Sequence, residues 1–237
     1  MKSIEAVFLD AGDTLLAADP PVDHVYRDAF ARHGVEATAD DVHGAVHATW
    51  REVDAARQRG EARWKGPGGE AGFWRRFVGA VFGRLGGGEM PEPLLAHLIA
   101  HFREELHWTL YPEVPEALAA LRAKPVKLVV VSNWDSSLPS LLERLGIRDS
   151  FDEVIVSAVV GVSKPDRGIF DEALRRAGVE AGAALHVGDS LTDDYHGARA
   201  AGLRALLVDR GGRRPPEVES IASLAELPAR VDGHFTA

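Results

Sequence analysis

Val126-Lys127-Leu128-Val129-Val130-Val131-Ser132-Asn133 is the stretch that decides the fold of this chain. It is apolar at almost every position before Ser132, rich in β-branched residues, and closed by a polar Ser-Asn pair. A nearly continuous apolar run of this length suits a strand covered on both faces, the usual condition of a parallel sheet. Similar runs recur outward from it, at Ile4–Leu9, Val154–Ser157, Ala184–Val187 and Ala205–Val208. Between them the apolar spacing changes to a helical period, over Pro115–Ala123, Leu138–Leu145, Gly168–Ala177 and Tyr195–Ala201. Strand and helix alternate, which predicts βαβ units and an α/β fold with a Rossmann-like parallel sheet.

The stretch from about Asp19 to Tyr111 breaks that alternation and reads as helical throughout. Its helices are expected at Asp23–His33, Thr38–Arg57, Gly72–Leu85 and Pro91–Leu106. Thr38 with Asp41 three residues on forms an N-terminal capping signature. Four such helices can bury a small core of their own. Residues 1–18 and 112–237 are therefore expected to form the core domain, and residues 19–111 an inserted all-helical cap. An insertion directly after the first strand stands where a lid belongs, able to exclude water and select substrates.

The bulk numbers narrow the function classes. A chain of 237 residues with 46% hydrophobic content is long and apolar enough for one large domain carrying an insertion. Net charge −9 argues against nonspecific nucleic-acid binding. An anionic substrate would need local positive charge, from a metal or a lysine. Cysteine is absent, so disulfides and thiolate zinc sites are excluded. Met1-Lys2-Ser3-Ile4-Glu5 leads into a strand without a signal-peptide pattern, and no apolar run approaches 18 residues. A soluble cytoplasmic protein with no membrane partner is expected, as monomer or homodimer.

Four polar segments carry the chemistry: Asp10-Ala11-Gly12-Asp13-Thr14, Ser132-Asn133, Lys164-Pro165, and Gly188-Asp189-Ser190-Leu191-Thr192-Asp193-Asp194. Three of them directly follow apolar, strand-like runs. The carboxyl ends of parallel strands converge on one crevice, so these segments are expected to meet. A carboxylate, a hydroxyl, an ammonium and an acidic cluster can bind Mg²⁺ and a phosphoryl group, leaving one carboxylate as nucleophile. Mg²⁺ takes oxygen ligands and usually only one or two carboxylates, which Asp10 and Asp189 satisfy. Each segment alone has an ordinary reading: an Asx turn at Asp10, a loop start at Ser132, a solvated Lys164, and helix caps at Asp193 and Asp194. Their order along one chain is what makes the signal specific.

In that order the sequence resembles the haloacid dehalogenase-like hydrolase superfamily, over essentially the whole chain. Phe8-Leu9-Asp10-Ala11-Gly12-Asp13-Thr14-Leu15 is similar to its first motif, Val130-Val131-Ser132-Asn133 to its second, and Lys164-Pro165-Asp166 to its third. Val187 to Asp194, with Gly197-Ala198 and Ala201-Gly202, is similar to its fourth. The helical insertion resembles the subgroup with a C1 cap between the first and second motifs. The resemblance implies that Asp10 attacks a phosphoryl group and forms an aspartyl-phosphate. It implies Mg²⁺ held by Asp10, the backbone carbonyl of Gly12 and Asp189. It further implies phosphate binding by Ser132 and Asn133, charge neutralisation by Lys164, and support of the metal or of Lys164 by Asp194 or Asp193 from behind. The implied substrate is a small phosphorylated metabolite.

One position departs from the family pattern. Family phosphatases carry a second Asp two residues after the nucleophile, to protonate the leaving group and then activate water; here that residue is Gly12. Asp13 lies one residue later, and a one-residue shift re-aims a side chain. General acid–base catalysis contributes about 10²–10⁴-fold, so the pattern predicts a slow phosphatase, least impaired on good leaving groups. Two alternatives stand beside it. A 2-haloacid dehalogenase also lacks the second Asp and carries a Ser-Asn pair, but needs no Mg²⁺ and has a less acidic fourth motif. A catalytically weak regulatory module would keep the fold and lose turnover.

Other features read as structural. The i, i+4 pairs His43/His47 and His97/His101 lack a third ligand and are expected on solvated helix faces. Trp50, Trp64, Trp74 and Trp108 are expected in cap core or hinge packing. Trp134, following Ser132-Asn133, is expected at the pocket mouth. Arg210 to Arg214 reads as an exposed loop within reach of an anionic substrate.

Overall fold

The apolar runs pair into a six-stranded, all-parallel sheet in the computed structural model, which describes residues 3–104, 108–212 and 214–232. The expectations on Met1, Lys2, Glu105, Leu106 and Arg213 lie outside the described residues. In chain order the strands are β1 (Ala6–Leu9), β2 (Leu16–Ala18), β3 (Trp108–Leu110), β4 (Lys127–Ser132), β5 (Glu153–Val156), β6 (Ala184–Gly188), β7 (Arg204–Val208) and β8 (Ser220–Ile221). The large sheet has the order β5-β4-β1-β6-β7-β8, and β2 pairs with β3. The chain divides into two compact units, Met1–Ala17 with Leu110–Ala237, and Ala18–Thr109.

The unit Ala18–Thr109 holds α1 (Val22–Ala31), α2 (Ala39–Gln58), α3 (Gly69–Arg84) and α4 (Glu92–Glu104). Thr38 caps α2 as the sequence indicates: its hydroxyl accepts from the Asp41 amide at 3.1 Å while the Asp41 carboxylate accepts from the Thr38 amide at 3.0 Å. The unit's core is aromatic. Tyr26, Phe30 and Phe82 meet edge to face, and Trp50, Trp64, Phe73, Trp74 and Phe77 form a second cluster. His43 is exposed and bonded to Asp23 at 2.9 Å. The chemistry-bearing residues expected from the sequence all lie in the other unit.

There, α5 (Val114–Arg122), α6 (Leu138–Arg144), α7 (Ser157–Val160), α8 (Arg167–Ala177), α9 (Gly197–Ala200) and α10 (Leu227–Asp232) accompany the sheet. Val7, Phe8, Leu9 and Leu128 to Val131 are wholly buried, so β1 and β4 are covered on both faces. On one face Phe8, Val129 and Val131 meet Ile169, Phe170 and Ala173 of α8 and Ala198 of α9. Each fully buried aliphatic or aromatic side chain there stabilises the fold by roughly 1.5–3 kcal/mol.

Register positions the site. Leu9 lies level with Val130 of β4 and Val187 of β6, and the Asp10 amide donates to the Val187 carbonyl at 3.0 Å. The carboxyl ends of β1, β4 and β6 thus finish along one edge, carrying Asp10, Ser132 and Asp189 together.

The structure differs from the sequence expectation at short elements. Ser157 begins the helical turn α7 rather than ending β5, and that turn closes at Gly161, which is in the left-handed region (φ 79°) and donates its amide to the Ser157 carbonyl. A π-helical turn over Leu191–His196 precedes α9, where one helix from Tyr195 was expected. Elements as short as β2, β3 and β8 contain too few residues for a periodic signal. No helix among the described residues is long and apolar enough to cross a membrane.

Candidate active site

Lys164 is the hub. Its ammonium is buried and donates to Asp10 Oδ1 at 2.6 Å and to Asp194 Oδ1 at 2.5 Å. Burial works against its charge, but the two carboxylates outweigh that and push its pKa up. The ordinary reading of Lys164 as a solvated surface lysine does not apply here: this ammonium is buried against two carboxylates as an internal counter-ion. It reaches the site because the Asn133 side chain holds the backbone of Lys164. Asn133 Oδ1 accepts from the Lys164 amide at 2.8 Å, and Asn133 Nδ2 donates to the Lys164 carbonyl at 3.0 Å.

Asn133 Nδ2 also donates to Asp193 Oδ2 at 3.2 Å. Both hydrogens of its carboxamide are thus engaged within the protein. The Asn133 side chain ties the third and fourth polar segments together. Asp193 is on the Asn133 side of this network, whereas Asp194 is on the Lys164 side.

Asp194 is buried and saturated. Its Oδ1 accepts from Lys164 and from His186 Nε2 at 2.8 Å, and its Oδ2 accepts from the Ser190 amide at 3.0 Å. Burial opposes its ionisation, yet Lys164 and His186 hold its pKa well below the usual carboxylate range. The backbone comes this close only because residue 188 is glycine: a Cβ there would lie 2.2 Å from Asp194 Cγ.

Asp10 ends β1 almost fully buried, and burial pushes its carboxyl above the usual range against the pull of Lys164. The Ser132 hydroxyl hydrogen-bonds this carboxylate. Asp189 is the most exposed member of the acidic group. Its pKa is pushed up to about 8, first by desolvation and then by the carboxylates of Asp10, Asp194 and Asp13. Thr14 Oγ1 donates to Asp189 at 3.4 Å.

Asp10, Asp189 and Asp194 form the single group of three metal-competent side chains among the described residues, with ligand atoms within 4.8 Å of one another. With all three ionised, three carboxylates against one ammonium leave two negative charges, the amount one divalent cation balances; the raised pKa values of Asp10 and Asp189 express the cost of that charge without a cation. The hard-oxygen donor set suits Mg²⁺. Because the Asp194 oxygens are engaged by three donors, the carboxylates left to hold a cation are Asp10 and Asp189. The histidine pairs do not enter any such group.

Gly12 lies beside Trp134. A Cβ at residue 12 would sit 3.3 Å from Trp134 Cζ3, so the half-buried indole edges into the space a side chain there would take. Asp13 adopts φ 53°, a left-handed conformation that Asp tolerates better than most residues. Its charged neighbours are Arg210 and Asp189 rather than Lys164.

In the stretch Arg210 to Arg214, read as an exposed loop, Gly211, Gly212 and Arg214 are exposed, whereas Arg210 is half-buried. Its guanidinium stacks 3.5 Å from the Tyr111 ring centre, pairs with Glu113 at 2.7 Å and donates to the Thr14 carbonyl at 3.0 Å. Arg214 donates to the carbonyls of Pro215, Pro216 and Val218. Sequence reasoning set the Arg210 loop within reach of an anionic substrate but missed the Tyr111, Glu113 and Thr14 contacts of Arg210, and it missed His186 altogether. The signal for His186 was a lone imidazole in the apolar run Ala184-Leu185-His186-Val187.

A family model described as haloacid dehalogenase-like hydrolase matches residues 4–202. Haloacid dehalogenase-like hydrolase domain-containing protein 3 of Mus musculus is 34% identical, covering 84% of this chain and 79% of its own. Phosphoserine phosphatase of Thermus thermophilus is 32% identical, covering 93% of this chain and 94% of its own. Among solved structures, the putative HAD-hydrolase YfnB of Bacillus subtilis superposes with TM-score 0.76 at 23% identity, covering 98% of this chain and 100% of its own. The L-2-haloacid dehalogenase of Xanthobacter autotrophicus superposes with TM-score 0.75 at 23% identity, with the same coverage. The fold is thus shared by proteins named for two chemistries.

Proposed function

We propose, since this chain belongs to the haloacid dehalogenase-like hydrolase family, that it is a Mg²⁺-dependent phosphatase of small phosphorylated metabolites. The observation that carries this reading is the cluster of Asp10, Asp189 and Asp194 around Lys164, which has two negative charges in excess when all three are ionised. A site with that excess calls for a divalent cation, which a carbon–halogen displacement does not need. The relative named phosphoserine phosphatase, similar over nearly the whole chain, supports the same choice.

Asp10 is the nucleophile. Its carboxylate oxygen forms a bond to phosphorus as the bond from phosphorus to the leaving oxygen breaks, and that oxygen takes a proton from water. A second water then attacks the aspartyl-phosphate, releasing inorganic phosphate and restoring the carboxylate. Lys164 holds the Asp10 carboxylate in place and offsets the charge that gathers on the phosphoryl oxygens. Ser132 orients Asp10 and is placed to bond a phosphoryl oxygen. Asp10, Asp189 and the Gly12 carbonyl would hold Mg²⁺, which when bound neutralises charge on the phosphoryl group. Asp193 and Asp194 act from behind, through Asn133 and Lys164.

With Gly12 in place of an acid, the leaving group is protonated by solvent, and turnover is fastest for leaving groups that need no proton. The helical unit Ala18–Thr109 is assigned substrate selection, and the protein is read as cytoplasmic, a monomer or homodimer. The test is hydrolysis of p-nitrophenyl phosphate with Mg²⁺ or with EDTA, beside Asp10→Asn. Mg²⁺-dependent turnover that vanishes in the variant is expected. Full activity in Asp10→Asn refutes the mechanism. Chloride release from 2-chloropropionate without any phosphatase activity would replace it with the dehalogenase reading.

A further inference from the structure

His186 lies in mid-sheet on β6, level with Phe8 of β1 and Ala205 of β7. It is wholly buried, and the Phe170 ring meets its imidazole edge-on at 5.2 Å. The same face of the sheet is otherwise lined by Ala6, Phe8, Val129, Val131 and Ala184. An apolar side chain would fill this place without the desolvation cost of an imidazole. What the imidazole adds is one directed hydrogen bond, from Nε2–H to Asp194 Oδ1 at 2.8 Å. Nε2 carries the hydrogen because an ionised carboxylate only accepts.

That bond acts on the hub. Asp194 Oδ1 has two lone pairs in reach; one takes the hydrogen of His186 and the other takes that of Lys164. The Ser190 amide fixes the second oxygen. Donors from β6, from the segment before α8 and from the turn after β6 therefore converge on one carboxylate and leave it a single rotamer. Without the imidazole, Asp194 Oδ1 can rotate away from Lys164, and Lys164 then loses one of its two anchors beside Asp10.

We propose that His186 is a positioning residue: through Asp194 it aims Lys164 at the nucleophile Asp10, an inference that rests on the phosphatase reading of Asp10. His186→Leu removes the donor and keeps an apolar filling. His186→Gln keeps an N–H donor near the Nε2 position. Outer partners of this kind typically contribute 10–100-fold to activity.

The experiment measures kcat and KM for p-nitrophenyl phosphate in wild type and both variants, with thermal midpoints. The expected result is a kcat loss of about 10–100-fold in His186→Leu at nearly unchanged KM and midpoint, with most of kcat regained in His186→Gln. Wild-type kcat in His186→Leu overturns the proposal, as does equal loss in two folded variants. Absence of turnover in all three proteins, wild type included, overturns instead the phosphatase reading on which it rests. Should His186→Leu fail to fold, the imidazole ¹⁵N spectrum of the wild-type protein decides. An Nε2–H tautomer altered by Asp194→Asn supports the relay, and an Nδ1–H tautomer refutes it.

Discussion

Replacing Lys164 by Met tests the charge balance of the site without reference to any substrate. Methionine keeps most of the length of the side chain and removes the ammonium that faces Asp10 and Asp194 at 2.6 and 2.5 Å. Removing one partner of a buried ion pair typically costs about 3–5 kcal/mol, because the other charge is left uncompensated. Here two carboxylates share the loss, although Asp194 keeps His186 and the Ser190 amide. In a chain of this size 1 kcal/mol moves the melting temperature by about 2–4 °C, so a fall of roughly 6–20 °C is expected in EDTA. The pH dependence has a definite sign. Burial already raises the Asp10 pKa against the pull of Lys164, and without the ammonium that pull is gone, so the folded variant holds a proton on Asp10 to higher pH than the unfolded chain does. The deficit relative to wild type therefore widens from pH 5 to pH 8. Asp10→Asn added to the variant removes one of the two stranded charges and should restore part of the loss. The assay is a thermal scan of the three proteins across that pH range. A Lys164→Met midpoint within 2 °C of wild type throughout would refute the reasoning that Lys164 is the structural counter-ion of the site.

Two further outcomes follow from close backbone approaches. Gly188→Ala drives a Cβ to within 2.2 Å of Asp194 Cγ, so Asp194 must leave Lys164; kcat should fall by about 100-fold or more, and activity within threefold of wild type would show that Asp194 is dispensable. Gly12→Asp alone presses on Trp134 and should lower the melting temperature, whereas Gly12→Asp with Trp134→Ala has room for the carboxyl. The double variant should hydrolyse alkyl phosphates at least about 10-fold faster than Trp134→Ala alone, and equal rates would refute the view that the missing acid limits turnover.

Much of the core was legible because it rests on local pattern. Val126 to Val131 announces a strand covered on both faces, and Thr38 with Asp41 announces the start of α2; in each case the signal lies within a few consecutive residues. The polar segments at Asp10, Ser132, Lys164 and Asp189 were legible as candidates for the same reason. Other features were not. The partition of Asp193 and Asp194 depends on which way a π-helical turn faces them, and their adjacent positions in sequence do not distinguish them. The role of Asn133 depends on a contact with the Lys164 backbone, and Arg210 reaches the site only through the fold of β7.

Read alone, the sequence indicated an α/β protein with parallel strands, a run of helices between Asp19 and Tyr111, and four polar segments of hydrolase type. Those properties follow from periodicity, caps and composition, which are carried by neighbouring residues. Tertiary structure alone decided the wiring of the site. It made Lys164 a buried counter-ion, enlisted His186 from inside an apolar strand, and set Trp134 against Gly12. These contacts join residues distant along the chain, and their strength comes from burial, where a charge without a partner is costly and a single hydrogen bond can select one geometry.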